Sequence, residues 1–204
     1  LLNIENKYHQ PFAEYWMGIH PLGSALVETG GADPTALSAL VEKLSFLLKV
    51  LDVKNMLSIQ VHPSKEAAAI EFARENTEAI PLDSPKRNYK DDNHKPELMV
   101  ALSDFWLLHG FKPPEELGNT LLNVVELREL LPVFNQTGYA GLYKFVMEMP
   151  QEEVNRILQP LIDNISAIYK EKKPDKTDED FWAARAAQTF SNDGNIDRGI
   201  FSIY

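Results

Sequence analysis

The chain of 204 residues is long enough for one large domain or two small ones, with a substantial core. Its 20 Lys and Arg residues against 30 Asp and Glu residues give a formal charge of -10, without any run of basic residues. Nucleic acids and anionic membranes need a cationic surface, so this balance argues against both as partners. The absence of cysteine excludes disulfides and thiolate metal sites, so any metal must be held by nitrogen and oxygen ligands.

The sequence also lacks the usual targeting segments. No uninterrupted apolar run approaches the length that crosses a bilayer. Residues 1–7 have neither the apolar core nor the small-residue cleavage site of a signal peptide. We therefore expect a cytoplasmic protein.

The first half of the chain is predicted to be rich in strands. Asp33 and Pro34 indicate the start of a short helix that reaches about Leu44. A second helix is predicted from the cap residue Ser64 to about Glu75. Apolar and β-branched residues predict four strands, over residues 46–53, 56–62, 97–102 and 105–111.

From Lys112 to about Phe190 the hydrophobic pattern has helical period. Residues 151–172 show the i, i+3, i+4, i+7 spacing of an amphipathic helix, which Pro160 is expected to kink. Shorter helices are predicted over residues 121–133, 139–149 and 178–190, and a new strand over residues 200–204. A strand-rich half therefore encloses or adjoins a unit of four to five helices.

Two polar segments could form a metal site if they meet. As a strand, residues 57–62 would place Ser58, Gln60 and His62 on one side. Pro96 biases Lys95 toward an extended backbone, which places Lys95 and Glu97 on a common face. Imidazole nitrogen and carboxylate oxygen are zinc ligands, and an open fourth position is what catalysis requires.

The residues by themselves leave a plainer interpretation open. Alternating polar residues are common on any half-exposed strand, and glutamine is an uncommon zinc ligand. The segment from Lys95 to Glu97 could equally be a solvated turn before a strand.

Three segments nevertheless resemble a known family. The sequences at residues 57–63 and 87–97, LSIQVHP and RNYKDDNHKPE, closely resemble the two signature motifs of type I mannose-6-phosphate isomerases. Residues 13–21, AEYWMGIHP, resemble a third motif, in which the family usually has Leu in place of Tyr15. Residues 46–52 match the strand before the first signature, and the resemblance is colinear over residues 8–111.

The resemblance implies an α+β fold with cupin-type β-structure, an incomplete β-sandwich or barrel, and an inserted all-α helical domain. Residues 1–111 would be the N-terminal part of the cupin-type domain and carry the zinc motifs. Residues 112–190 would be the helical insertion, and residues 191–204 a return strand into the β domain.

The resemblance also implies a zinc-dependent aldose–ketose isomerase that interconverts mannose 6-phosphate and fructose 6-phosphate through a cis-enediol(ate). It assigns Gln60, His62 and Glu97 as ligands of one zinc ion per chain. The expected partner is a small sugar phosphate, with no nucleic acid or membrane. The expected enzyme is a monomer in carbohydrate metabolism, on the route to GDP-mannose.

The remaining site residues follow from the same resemblance. Lys95 matches the active-site lysine, Ser58 matches the serine near the phosphate, and Glu14 and Trp16 match residues of the substrate cleft. Lys95 and Glu14 are candidate catalytic residues, because either could shuttle the proton between C2 and C1. A metal-bound water is a third candidate base.

The chain also departs from the family pattern. The family has a fourth zinc ligand, a histidine in a Pro-His-Ala-Tyr-like motif, and an essential arginine, and neither has a counterpart here. Arg198 precedes the expected place of the arginine and does not receive its role. We therefore expect the first part of a longer enzyme. The alternatives are a non-catalytic cupin module that binds zinc or a sugar phosphate, and an interaction module formed by the helices.

Overall fold

The structure is a computed structural model that describes residues 5–8, 13–20, 23–28, 30, 33–53, 55–57, 59–172 and 175–204. The chain divides into two compact units, Leu1–Leu57 and Ser58–Tyr204. The domain boundary predicted after residue 111 is a different division and stays a prediction. Within the described ranges, no helix is both long and apolar enough to cross a membrane.

The first unit contains two small antiparallel sheets and one helical turn. Strand β1 (Glu14–Met17) pairs with β4 (Leu48–Leu51), in a register that sets Trp16 opposite Lys49. Strand β2 (Leu26–Val27) pairs with β3 (Thr35–Ala36), and the turn α1 (Leu37–Leu40) follows directly. Strand β4 confirms the strand predicted over residues 46–53.

The helix predicted from Asp33 to about Leu44 is wrong. The chain instead forms β3 and the four-residue helix α1, whose N-cap residue Ala36 makes no side-chain hydrogen bond. The first two backbone N–H groups of α1 instead donate to partners outside the helix, Leu37 to the Ala25 backbone oxygen at 2.7 Å and Ser38 to the Ser24 hydroxyl at 3.1 Å. Since α1 also has no buried residue, packing does not extend it.

The second unit is dominated by helices packed around an apolar core. Its α-helices are α2 (Lys65–Thr77), α3 (Pro114–Asn123), α4 (Leu131–Glu148), α5 (Gln151–Lys172) and α6 (Glu179–Phe190). Two 3₁₀ helices cover Val125–Leu130 and Arg198–Ser202. Val154, Leu158 and Ile165 of α5 are fully buried, as the amphipathic spacing predicts.

Several predicted elements of this unit are confirmed. Helix α2 begins after Ser64, whose hydroxyl accepts a hydrogen bond from the Ala67 N–H at 3.1 Å. Helix α5 has the predicted bounds, and α6 begins after Asp178, which caps it through the Asp180 N–H. The predicted mixture of helices and strands is therefore present.

The strands predicted over residues 56–62, 97–102 and 105–111 are absent from the described residues there. A strand requires a hydrogen-bonded neighbour, and none of the described strands pairs with these segments. Their apolar side chains are accordingly exposed, and Leu98 reaches 93% exposure. The described strands form two sheets of two strands each, rather than a sandwich or barrel.

The return strand predicted within residues 191–204 is also wrong. Residues Arg198–Ser202 form a 3₁₀ helix, whose start is capped by the Asp197 carboxylate accepting from the Gly199 N–H at 2.7 Å. Ile200 is fully buried, so packing against the helices stabilises this compact turn. The apolar composition of the segment reflects this burial and not a strand.

Candidate active site

The three predicted metal ligands lie together around the ring of His62. Its Nε2 atom lies 3.5 Å from Oε1 of Gln60 and 3.6 Å from Oε2 of Glu97. Around a tetrahedral ion with bonds of about 2.1 Å, neighbouring donor atoms lie roughly 3.4 Å apart. Both distances are close to this spacing, so a nitrogen donor flanked by two oxygen donors is compatible with a zinc ion.

Gln60 and His62 meet outside any described strand. They are two residues apart in the chain, and their side chains approach to 3.5 Å. Pro63 and the cap residue Ser64 follow, and helix α2 begins at Lys65. The sequence therefore predicted the right neighbours although it predicted the wrong element.

The second signature motif, residues 87–97, brings Lys95 and Glu97 close to His62. Nζ of Lys95 lies 3.1 Å from Oε1 of Glu97, while the other carboxylate oxygen faces His62. The Lys95 side chain is 58% exposed, so its ammonium is accessible to an anionic substrate. One carboxylate thus connects the candidate metal position to a cation.

The amide of Gln60 is essential to this arrangement. Within the described part of the chain, no group of three or more His, Asp or Glu side chains could hold a metal. His62 and Glu97 supply only two ligands of these types, so a three-ligand centre here depends on Gln60.

A buried ion pair between Glu75 and Arg87, which was not predicted from the sequence, fixes the start of the second motif. Nε of Arg87 lies 3.0 Å from Oε2 of Glu75. The Glu75 carboxylate also accepts the backbone N–H groups of Asn88 and Tyr89, at 3.1 and 2.9 Å. The sequence does contain a hint of this burial. Glu75 follows Ala68 by seven residues, which places both on the same buried face of helix α2.

The Arg87 guanidinium donates three further hydrogen bonds. It donates to the backbone oxygens of Tyr89 and Ile80 at 2.6 and 2.9 Å, and to Oδ1 of Asn76 at 2.7 Å. Burial of the Glu75 carboxyl works against ionisation, but the Tyr89 and Asn88 N–H groups and the Arg87 charge outweigh it, so the pKa of Glu75 is lowered.

Residues 88–97 run back along helix α2. Asn88 and Tyr89 bind Glu75 near the end of the helix, and Glu97 faces His62 just before its start. The pKa of Glu66, in the first turn, is lowered by its own backbone N–H, by the Ser64 hydroxyl and, to a smaller extent, by the charge of His94. The motif of residues 87–97 therefore contacts helix α2 near its end, at Glu75, and approaches His62 just before its start.

In the first unit, the predicted cleft residues Glu14 and Trp16 lie together on β1. Oε2 of Glu14 accepts a hydrogen bond from Nε1 of Trp16 and from Nζ of Lys49, the latter at 3.1 Å. The Lys49 ammonium also lies 4.9 Å from the centre of the Trp16 ring, and this ring packs edge-on against His20.

Lys49 was not predicted from the sequence as a site residue. The signal was a single charge inside the otherwise apolar stretch of residues 46–51. Only the register of β1 against β4 shows that this charge faces Glu14 and Trp16. Ser58, the predicted phosphate neighbour, lies outside the described residues.

A separate cavity of about 370 Å³ lies among the helices and shares no residue with this site. Its lining includes Arg156, which donates to Glu129 at 2.8 Å and to Glu153 at 2.7 Å. Because this cation is already neutralised and Glu148 adds a further negative charge, the cavity is unsuited to a phosphorylated sugar.

Comparison with known proteins gives a consistent result. The family model of the phosphomannose isomerase type I catalytic domain matches residues 3–114. A mannose-6-phosphate isomerase of Shigella flexneri is 34% identical over 99% of this chain and 54% of its own length. The mannose-6-phosphate isomerase of Salmonella typhimurium is 36% identical over 79% of this chain and 46% of its own length. The chain thus spans about half the length of the curated relatives it matches.

Solved structures agree with the sequence comparison. A crystal structure of the Salmonella typhimurium mannose 6-phosphate isomerase, bound to its substrate fructose 6-phosphate and to zinc, has a TM-score of 0.78 to this chain at 30% identity. The similarity covers 100% of this chain and 54% of the solved one. A zinc-bound holo form of mannose 6-phosphate isomerase has the same score and coverage.

Proposed function

The chain belongs to the type I phosphomannose isomerase family, and we propose that it provides the zinc-binding part of an enzyme that interconverts mannose 6-phosphate and fructose 6-phosphate. The observation that carries this proposal is the approach of Gln60 Oε1 and Glu97 Oε2 to His62 Nε2, at 3.5 and 3.6 Å. The Salmonella relative, whose structure is described with zinc and fructose 6-phosphate, supports the same metal and substrate class.

One zinc ion per chain is the proposed cofactor, held by Gln60, His62 and Glu97. When bound, zinc supplies a Lewis acid for the oxygens of the substrate. The His62 ring is positioned as a nitrogen donor by its place between the other two side chains. The Glu97 oxygen that faces His62 would be the one available to the metal, since the other oxygen is engaged by Lys95.

Other side chains of the chain are proposed to attract the substrate, stabilise the developing charge and transfer the proton. The exposed ammonium of Lys95 attracts the anionic substrate and stabilises negative charge on the enediolate oxygens. A general base removes the proton from C2 and returns it to C1, while the hydroxyl proton moves from O2 to O1. Glu14 and Lys95 are the proposed candidates for this proton transfer, and a metal-bound water is a third.

The cleft residues bind and orient the sugar. Trp16 offers a ring held by Lys49 and His20, and Glu14 offers a carboxylate held by Trp16 and Lys49. Ser58 is proposed to lie near the phosphate, on the basis of the family motif alone.

Membership of this family also supports a proposal about the domain organisation. We propose the N-terminal part of cupin-type β-structure over residues 1–111 and a helical insertion over residues 112–190, supported by the structural similarity over 100% of this chain. The cytoplasmic location and the monomeric state stay predictions from the sequence.

A second candidate function is a module that binds zinc or a sugar phosphate without turning it over. The observation that favours it is that the three candidate ligands already approach one another within the described residues.

The deciding experiment measures zinc content and isomerase activity of this chain beside Gln60→Ala and Glu97→Ala. Glu116→Gln, at an exposed carboxylate in the first turn of α3, is the matched control. Stoichiometric zinc with activity supports the isomerase, and zinc without activity supports the binding module. If the wild-type chain binds no stoichiometric zinc and both variants behave identically, the proposed site is wrong.

A further inference from the structure

We propose that Glu75 and Arg87 are positioning residues for the metal centre: the buried pair sets the path of residues 88–97 and thereby places Lys95 and Glu97 beside His62. The inference rests on the proposed zinc site. It adds two residues that touch neither the metal nor the substrate.

The pair is buried and makes several hydrogen bonds to the surrounding backbone. The side chains of Arg87 and Glu75 are 0% and 2% exposed. A buried ion pair is a weak source of net stability, because desolvation offsets most of its attraction. Its hydrogen bonds are directional, however, and here they hold the backbone at Asn88, Tyr89 and Ile80. The pair therefore fixes where the loop leaves helix α2.

The path that remains from the pair to the metal position is short. Tyr89, whose backbone N–H is held by Glu75 at 2.9 Å, precedes Glu97 by eight residues. A displacement at Tyr89 is therefore carried along a short segment toward Lys95 and Glu97.

Contacts within the loop remove further freedom. Nζ of Lys90 donates to the backbone oxygens of Leu82 and Ser84, at 2.5 and 3.2 Å. The Asp91 carboxylate accepts from the Asn93 N–H at 2.9 Å, which forms a local turn. Residues 88–97 therefore form a constrained loop that begins next to Arg87 and ends at the proposed ligand Glu97.

A metal centre is sensitive to the position of each ligand. Groups outside the ligand set that orient the ligands change metal affinity by about 10- to 100-fold when they are altered. A ligand on a loop depends on such support more than one on a rigid element. Because Glu97 lies on the constrained loop of residues 88–97, the Glu75–Arg87 pair controls the position of the Glu97 carboxylate.

The test compares Glu75→Gln and Arg87→Lys with the wild-type chain. Arg74→Gln is the control, since it removes two exposed ion pairs from the same region, those of Arg74 with Glu71 at 2.8 Å and with Glu78 at 2.7 Å. Zinc dissociation constants are measured by competition with a chromophoric chelator. Hydrogen exchange of the metal-free chains is followed separately at residues 66–74 and 90–97.

We expect a zinc dissociation constant about tenfold higher in both variants, and an unchanged one in the control. Amide exchange should accelerate at residues 90–97 and stay slow at residues 66–74. A purely structural pair would loosen helix α2 and the loop together, so loss of protection throughout α2 overturns the inference.

The two proposals can fail separately. If the wild-type chain binds zinc and both variants bind it equally well, the positioning role is wrong and the zinc site stands. If the wild-type chain binds no zinc, the zinc site is wrong, and the positioning role, which requires it, is wrong with it. Faster exchange confined to residues 90–97 still shows in that case that the pair anchors the loop.

Discussion

The carboxylate of Glu97 faces His62 with one oxygen, 3.6 Å from Nε2, and Lys95 with the other, 3.1 Å from Nζ. This division orients the carboxylate, since the Lys95 contact leaves the second oxygen for the metal position. It also places a positive side chain next to the proposed metal position.

Replacing Glu97 by Gln should weaken zinc binding by at least about 10- to 100-fold. The variant keeps an oxygen donor but loses the negative charge that favours a divalent cation. Chelator competition measures the effect, with Glu116→Gln as the control. Equal zinc affinity in Glu97→Gln and the wild-type chain would remove Glu97 from the ligand set.

Lys49→Met should lower isomerase activity while leaving the stability of the first unit nearly unchanged. The Lys49–Glu14 pair is partly exposed, at 29% and 31%, so its loss should change the free energy of unfolding by less than about 1 kcal/mol. Isomerase activity should fall much more, because Glu14 and Trp16 lose their shared partner. Urea unfolding and turnover are measured side by side, and an equal activity in both proteins contradicts the prediction.

Stability should decrease in acid in a way that depends on Glu75. Its pKa is lowered from the usual value of 4.5, so the ionised carboxylate stabilises the fold fully above about pH 4.5. This contribution is lost as the pH falls through the lowered pKa of the folded state. Urea unfolding of the wild-type chain and Glu75→Gln at several pH values should show a difference that shrinks below pH 4.5. A difference independent of pH would exclude the charge as its cause.

Gly138→Ala should destabilise the helical unit by about 1–3 kcal/mol. Gly138 interrupts helix α4 with φ 64° and ψ -162°, a conformation that a Cβ atom disfavours. Gly118→Ala in helix α3 is the matched control, since neither position has an atom within 4 Å of an added Cβ. The control should be neutral or slightly stabilising. Similar unfolding midpoints for the two variants would show that the conformation at Gly138 carries no strain.

Local features of the chain were predictable because they depend on neighbours in sequence. The 3.6-residue period predicted the bounds of α5, and Ser64 and Asp178 marked the starts of α2 and α6. Gln60 and His62 meet although no described strand includes them, because they are only two residues apart in the chain. The zinc assignment itself required the family motifs, since the spacing alone left a solvated surface equally open.

Only the tertiary structure decided which distant residues meet. Whether the apolar alternation near Leu98 becomes a strand depends on a hydrogen-bonded partner, and the described residues provide none. The contacts of Glu75 with Arg87 and of Glu14 with Lys49 depend on how a loop returns along α2 and how β1 pairs with β4. The sequence by itself thus determined helices α2, α5 and α6, and with the family motifs it named the candidate metal ligands. The fold decided what holds the ligands in place, because such contacts join residues that no local period connects.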